Sequence, residues 1–396
     1  MLVRIRGSER NYAWGSTTTI PQLIGREPGT EPVAELWFGA HPAAPSTLPD
    51  RAGVNLREYL LTEFETALGR HALARFGQHL PYLLKLIAPA RPLSLQVHPN
   101  LAQAQAGFTA EESDGLPRDG ATRLYPDPNH KPELLYAITE FRALCGFRTP
   151  RRALELVSGL DAPLARKLAG ILATDPTAVG VRTAVTELLT PGAVPAAETR
   201  AVVRACAERR GARGASVRID AIVAELGATH PGDPGAVAAL LLNPVTLAPG
   251  EALFIPAGTL HAYLQGLGVE LMANSDNVLR AGLTRKHIDP EAVLSTIDYV
   301  TAPPVRIAPE ITGPTRTFYA PVEDFEMSIT TLGSNGAVEM PGRGPRIVLS
   351  ISGQAQVCTT DAGPVQLGPG EAVFVPATAG HVIADGDAHL VQAAVP

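Results

Sequence analysis

Two histidines, a glutamate and a glutamine stand at spacings that could build a metal site. Gln96 and His98 lie two apart in "LSLQVHPN" (93–100). Side chains alternate along a strand, so Ser94, Gln96 and His98 share one face and Leu93, Leu95 and Val97 the other. Pro92 and Pro99 bracket the run, as suits a short strand. Further on, "DPNHKPELLYAI" (127–138) crowds His130, Lys131 and Glu133 ahead of an apolar strand, and His261 follows a proline-glycine turn. Neutral imidazoles with a hard carboxylate and an amide oxygen suit Zn²⁺ or a similar divalent ion, acting as a Lewis acid. From the residues alone a plainer reading stands beside it, of a strand face turned to water and histidines in ordinary hydrogen bonds.

A second group of reactive side chains fills "ELMANSDNVLRAGLTRKHID" (270–289), with Glu270, Asn274, Asp276, Asn277, Arg280 and Lys286. It reads as a solvated loop rich in turn residues, or as the rim of a pocket that begins at His261. Lys85 is a cation inside the apolar run "LPYLLKLIAP". Such a lysine either snorkels to the surface or lines a pocket for an anion.

An internal repeat indicates what positions these residues. "VTLAPGEALFIPAGTLHAYL" (245–264) realigns with "VQLGPGEAVFVPATAGHVIA" (365–384), ten of twenty residues agreeing at an offset of 120. Each copy has a proline-glycine turn, an acidic residue, a β-rich run, a proline and a histidine, so one β module is present twice. The spacing of Gly250, Pro256, Gly258 and His261 resembles a cupin signature, whose fold is a jelly-roll barrel with an internal pocket. The second copy keeps Gly370, Pro376 and His381 but has Thr378 in place of Gly258.

Between 150 and 228 the texture turns helical. Leu164, Leu168, Ile171 and Leu172 fall at helical spacing, as do Ile219, Ile222, Val223 and Leu226. "ETRAVVRACAERR" is a further helical stretch, and Pro191, Gly192 and Pro195 mark a break. The expected fold is mainly β with a helical insertion, in which two cupin-type jelly-roll barrels accompany an α-helical domain. Residues 1–149 and 229–314 would form the first barrel, 150–228 the insertion, and 315–396 a degenerate second barrel.

Composition bounds the function. The 396 residues suffice for two or three domains, 45% are hydrophobic, and a net charge of −6 with no Lys/Arg-rich run argues against nucleic acid as a partner. No 18-residue apolar stretch suits a membrane span, and "MLVRIRGSER" lacks a signal-peptide core. Cys145, Cys206 and Cys358 have no metal spacing and read as buried free thiols of a cytoplasmic protein.

"NYAWGS" (11–16), "AELWFGAHP" (34–42), "PLSLQVHPN" (92–100), "YPDPNHKPEL" (125–134), "PAGTLHAYLQG" (256–266) and "SDNVLRAGLT" (275–284) together resemble, in order, the type I mannose-6-phosphate isomerases. The resemblance implies one zinc ion per chain on Gln96, His98, Glu133 and His261. It implies Arg280 as the catalytic arginine, with Lys85, Lys131, His130 and Asp276 in proton transfer or substrate binding. Ser94, with Lys85 and Arg280, would meet the phosphate. Departures are small: Arg285 stands where the family usually has proline, and Pro126 and Pro128 flank Asp127. The implied reaction is isomerisation of mannose 6-phosphate and fructose 6-phosphate through a cis-enediol, by a monomer or weak homo-oligomer. An Fe(II) dioxygenase is the competing enzyme, disfavoured by a fourth ligand at Gln96. A non-catalytic sugar-phosphate sensor would have no need of Arg280, Lys131 and Lys85.

Overall fold

The computed structural model describes residues 1–209, 217–333, 336–360 and 362–396. Two antiparallel sheets carry the motifs. One runs Leu279–Gly282, Leu95–Val97, His261–Gln265, Phe141–Phe147, Leu242–Leu247 in spatial order. The other runs Val305–Ile307, Ala252–Ile255, Glu133–Ala137, Gly268–Ala273, Tyr82–Ile87, Glu35–Phe38, Ser8–Arg10. An apolar cluster that includes Ile87, Leu135, Phe141, Cys145, Ile255 and Tyr263 draws on strands of both. The period of two is clear in Tyr82–Ile87: Leu84 and Leu86 join a different cluster, which reaches the C-terminal sheet, while Lys85 and Ile87 alternate with them.

Helices pack against the first sheet. Pro150–Ser158, Pro163–Thr174, Ala178–Leu189, Ala196–Arg209 and Val217–Thr229 bury Leu164, Leu168, Leu172, Ile219, Ile222, Val223 and Leu226 against Leu95, Val97, Leu144 and Leu279. The periodicity is as expected, with Ile171 only half-buried. The helical break falls at 190–195 as expected, whereas Arg210, the last residue of the Ala/Arg-rich stretch, lies outside the described residues.

Two expectations about fold class need correction. Helix and strand take similar shares, about 30% and 31%, so the chain is mixed rather than mainly β. Leu56–Thr62, Phe64–Phe76 and Leu101–Ser113 are helices outside the insertion. Two of them begin with reciprocal caps, Asn55 with Glu58 and Asn100 with Gln103, which satisfy backbone N–H groups of the first turn. Among the described residues none of the sheets closes into a barrel. Cys358 also departs from expectation, being half-buried where Cys145 and Cys206 are buried. No described helix is long and apolar enough to cross a membrane.

The repeat is visible in the backbone. In the first copy Gly250 N–H donates to Ala137 O, and Glu251 Oε2 accepts from Ala248 N at 2.8 Å. In the second, Gly370 N–H donates to Ser350 O, and Glu371 Oε2 accepts from Gly368 N at 2.8 Å. The second copy lies in a nine-stranded sheet, eight of whose strands come from residues 310–394 and the ninth, Val3–Ile5, from the start of the chain by pairing with Ala372–Val375. Gly250 and Gly370 both have positive φ, 91° and 80°, which glycine alone adopts freely. A Cβ on Gly250 would have its nearest neighbour at 3.8 Å, whereas one on Gly370 would lie 2.3 Å from Ile24 Cγ2. Gly250→Ala is therefore expected to cost about 1–2 kcal/mol in urea unfolding, the left-handed penalty alone. Gly370→Ala should cost clearly more, and equal losses would show that Ile24 yields without resistance.

Candidate active site

Strand register assembles the site. His261 stands opposite Gln96, and Gln96 opposite Arg280, so three adjacent strands carry these residues in one row. Directly opposed residues of antiparallel strands share a face. In the other sheet Lys85 stands between Glu270 and Trp37, and Glu133 opens its strand beside Met272. A cavity of about 500 Å³ is lined by Ser94, Gln96, Lys85, Lys131, Glu133, Asp276 and Arg280, among others. Ser94 and Gln96 thus face the cavity, whereas His98 and His261 are buried outside its lining. The strand itself is shorter than expected, Leu95–Val97, and Leu93 lines the cavity instead of packing with Leu95 and Val97.

His98, Glu133 and His261 form a buried group whose ligand atoms all lie within 4.8 Å of one another. His98 Nδ1 lies 2.7 Å from Asn277 O and His261 Nδ1 2.8 Å from Thr259 O. A carbonyl only accepts, so each Nδ1 carries the proton and, in the neutral ring, each Nε2 presents a lone pair. Those Nε2 atoms face the carboxylate, His98 at 3.1 Å from Glu133 Oε1 and His261 at 3.5 Å from Oε2. Burial, with the Lys131 ammonium second, pulls His98 down to about 4, so its contact with Glu133 joins two acceptors at neutral pH. Acceptors converging on one point call for a cation between them, and this donor set fits zinc. Burial pushes Glu133 up, but Lys131 and His98 outweigh it and hold the carboxyl well below its usual range. Lys131 donates to Glu133, and Tyr263 OH donates to Glu133 Oε2 at 3.2 Å. Gln96 Nε2 lies 3.3 Å from His261 Nε2, and a half-turn of the amide exchanges this nitrogen for an oxygen ligand.

Lys85 neither snorkels nor sits among cations. Its Nζ lies 2.9 Å from Glu270, 3.9 Å from Glu35 and 5.0 Å from the Trp37 ring centroid. Burial lowers its affinity for the proton, but Glu270, Glu35 and Glu133 outweigh that, and the net shift is upward. Of the two expectations for Lys85, the structure has the pocket-lining one. Arg280 differs: burial lowers it, and no carboxylate pairs with it among the described residues. Arg91, Arg285 and Lys286 line the same cavity, giving it a cationic edge. Asp276 lies half-exposed at the rim, its Oδ2 3.4 Å from His41 Nε2. His130 is not among the lining residues, and its Nε2 lies 3.0 Å from Asp324 Oδ2. Asp127 accepts from Asn129 N and Asp276 N, so the proline-flanked loop is tied to the rim.

Several residues escaped the sequence reading: Tyr12, Trp14, Glu35, His41, Arg91 and Tyr263. Tyr263 follows His261 by two in one strand, and Glu35 precedes Trp37 by two, so strand alternation was an available signal for both. Arg91 carried none.

Fold and site together define a protein of packed antiparallel sheets with a candidate internal metal site and a cationic edge suited to a small anion. Residues 2–150 match the family profile of phosphomannose isomerase type I, catalytic domain. Mannose-6-phosphate isomerase of Escherichia coli (strain K12) is 36% identical over 398 residues, covering 98% of both chains. Mannose-6-phosphate isomerase 1 of Arabidopsis thaliana is 33% identical, covering 100% of this chain and 94% of its own. A crystal structure of mannose 6-phosphate isomerase bound with zinc and yttrium superposes with a TM-score of 0.89 at 34% identity, covering 99% and 98% of the two chains. The chain belongs to the type I phosphomannose isomerase family.

The second copy of the module explains why one metal per chain is expected. Ala137 and Ser350 hold the turn glycines of the two copies, and four residues upstream in each strand stand Glu133 and Arg346. Register agrees: Glu133 pairs with Ile255 and Arg346 with Val375, which the repeat equates. A fully buried guanidinium, donating to Gly342 O and Gly380 O, thus replaces the carboxylate. His381, the counterpart of His261, lies exposed against Glu339. Glu133→Ala is expected to retain no zinc, and His381→Ala to retain one equivalent. Elemental analysis of both checks this, and loss of zinc from His381→Ala would mean the copies were misread.

Proposed function

We propose that this chain is a zinc-dependent isomerase interconverting mannose 6-phosphate and fructose 6-phosphate through a cis-enediol. The observation that carries the reading is a row of His261, Gln96 and Arg280 on one sheet facing Glu133 on the other, with Gln96, Glu133 and Arg280 lining one cavity and no carboxylate paired with Arg280 among the described residues. Gln96, His98, Glu133 and His261 would hold the ion. Bound there, zinc supplies Lewis acidity for charge that builds on oxygen.

The chain's own groups do the rest. Arg280, whose guanidinium has no carboxylate partner among the described residues, meets the phosphate or the developing oxyanion. Ser94 lines the same cavity, and Arg285 and Lys286 add charge for the same anion. Lys85 keeps its proton between Glu270 and Glu35, so it donates a hydrogen bond to a substrate oxygen. That leaves, for the base that takes the C2 proton and returns it to C1, Asp276 or Lys131, the latter only where its partner Glu133 is engaged by zinc. His130, turned towards Asp324, supports the loop that carries Lys131. Two histidines and one carboxylate alone would also suit a non-haem iron oxygenase. The family and the cationic edge favour the isomerase.

We also divide the chain at 149/150, 228/229 and 314/315, with the helical insertion interrupting the first of two related jelly-roll modules. The repeat and its matched turns support this, and strand Val3–Ile5 belongs with the second module. We place the protein in the cytoplasm as a monomer or weak homo-oligomer with no nucleic-acid partner. The three free cysteines and the net charge of −6 support that placement.

A coupled assay with mannose 6-phosphate, before and after chelation and zinc return, tests the activity. Arg280→Ala should fold, keep its zinc and lose about 10²–10³ in kcat, as for loss of one preorganised donor. Arg280→Lys should recover only part, since the planar fork is gone. Near-wild-type kcat and KM in zinc-loaded Arg280→Ala would remove Arg280 from the mechanism.

A further inference from the structure

The backbone after Arg280 is held in a conformation its own residues do not favour. Leu283 has φ 56°, the one non-glycine residue in the left-handed region among those described. A leucine resists that region sterically, so the surroundings must impose it. Its side chain is buried in the core of the helical insertion, which prevents relaxation outward. Its N–H donates to Asp233 Oδ2 at 2.7 Å, and Gly235 N–H donates to Asp233 Oδ1 at 2.8 Å. One carboxylate thus ties the turn that ends the insertion to the segment leaving strand Leu279–Gly282.

That segment matters for the residues it carries. Thr284, Arg285 and Lys286 come next and line the cavity with Arg280. His230, from the same turn as Asp233, lines it too. Asp233 itself does not reach the cavity, so it acts through the backbone it holds.

We propose that Asp233 is a positioning residue for anion recognition: it holds Leu283 left-handed and so sets where Arg285 and Lys286 meet the phosphate of the substrate. The proposal rests on the isomerase reading for the identity of the ligand, but the placement applies to any phosphate-bearing ligand of this cavity.

The test uses full-length, zinc-loaded Asp233→Asn, which keeps the volume but turns one acceptor into a donor facing an N–H. KM for mannose 6-phosphate should rise about tenfold, the effect of losing one charge-assisted hydrogen bond in the binding edge. With uniform binding lost, kcat should stay within about threefold. Calorimetric affinity for inorganic phosphate should weaken by a similar factor, and zinc should remain at one per chain. Asp233→Glu, which keeps the charge but displaces the oxygens, is read in parallel and should raise KM in the same direction if Asp233→Asn does not fold. Unchanged KM and phosphate affinity with a lowered unfolding temperature would overturn the proposal, leaving Asp233 a purely structural contact. Should the wild type bind phosphate and the variant bind it more weakly while neither isomerises, the isomerase reading fails and the positioning role stands. Should the wild type isomerise and both bind phosphate equally, the positioning role alone fails.

Discussion

The structure is organised around a surplus of buried negative charge. Glu35, Glu133 and Glu270 are each at most 6% exposed, and Lys85 and Lys131 are 5% and 6% exposed. Three carboxylates against two ammoniums leave one negative charge unmatched between the sheets. An uncompensated charge there would cost several kcal/mol even after relaxation, of order the penalty per buried ion. Every neighbouring choice answers that constraint. Trp37 Nε1 donates to Glu35, Tyr263 donates to Glu133, and two imidazoles present lone pairs rather than protons. The arrangement is poised for a divalent cation, which would turn the excess negative charge into an excess positive one beside an incoming anion.

The two copies of the module show how readily that constraint can be discharged another way. Where the first places a carboxylate and needs a cation from outside, the second supplies its own in Arg346, anchored on backbone carbonyls. The interior around it is largely apolar, with Val348, Val373, Val375 and Leu390 buried beside Ser350 and Gln392. The same turn, with the same glycine and the same capping glutamate, serves both. Local structure therefore survived the divergence of the two interiors, and the difference in chemistry came down to which charge each core keeps.

What the sequence disclosed divides along the same line between local and distant causes. The repeat, the helical insertion and the pairing of Gln96 with His98 were legible because turn chemistry and periodicity act over a few residues. Lys85 was left open between surface and pocket because its carboxylate partners come from strands far away in the chain, so only a lone cation was visible. His130 was grouped with Lys131 and Glu133 by adjacency, yet its ring turns to Asp324 in the C-terminal region. The helices over 56–76 and 101–113 escaped because their faces are weakly segregated, although Asn55 with Glu58 and Asn100 with Gln103 marked two of their starts. Closure of a sheet is the least local property of all, and no pattern along the chain could decide it.

The helical insertion has a role that its distance in sequence from the metal ligands conceals. Leu279 and Ala281 point into the helical core while Arg280, between them, lines the cavity. A strand's alternation thus couples two environments: one face is held by apolar burial worth about 1.5–3 kcal/mol per large side chain, and the other presents a guanidinium. An arginine on a free loop would lose rotamer and backbone entropy on meeting an anion. Here that ordering is done during folding, by helices of which only Thr229, at the end of Val217–Thr229, lines the cavity among the described residues. The insertion is accordingly part of the site's rigidity, and the cationic edge is only as well placed as the core behind it.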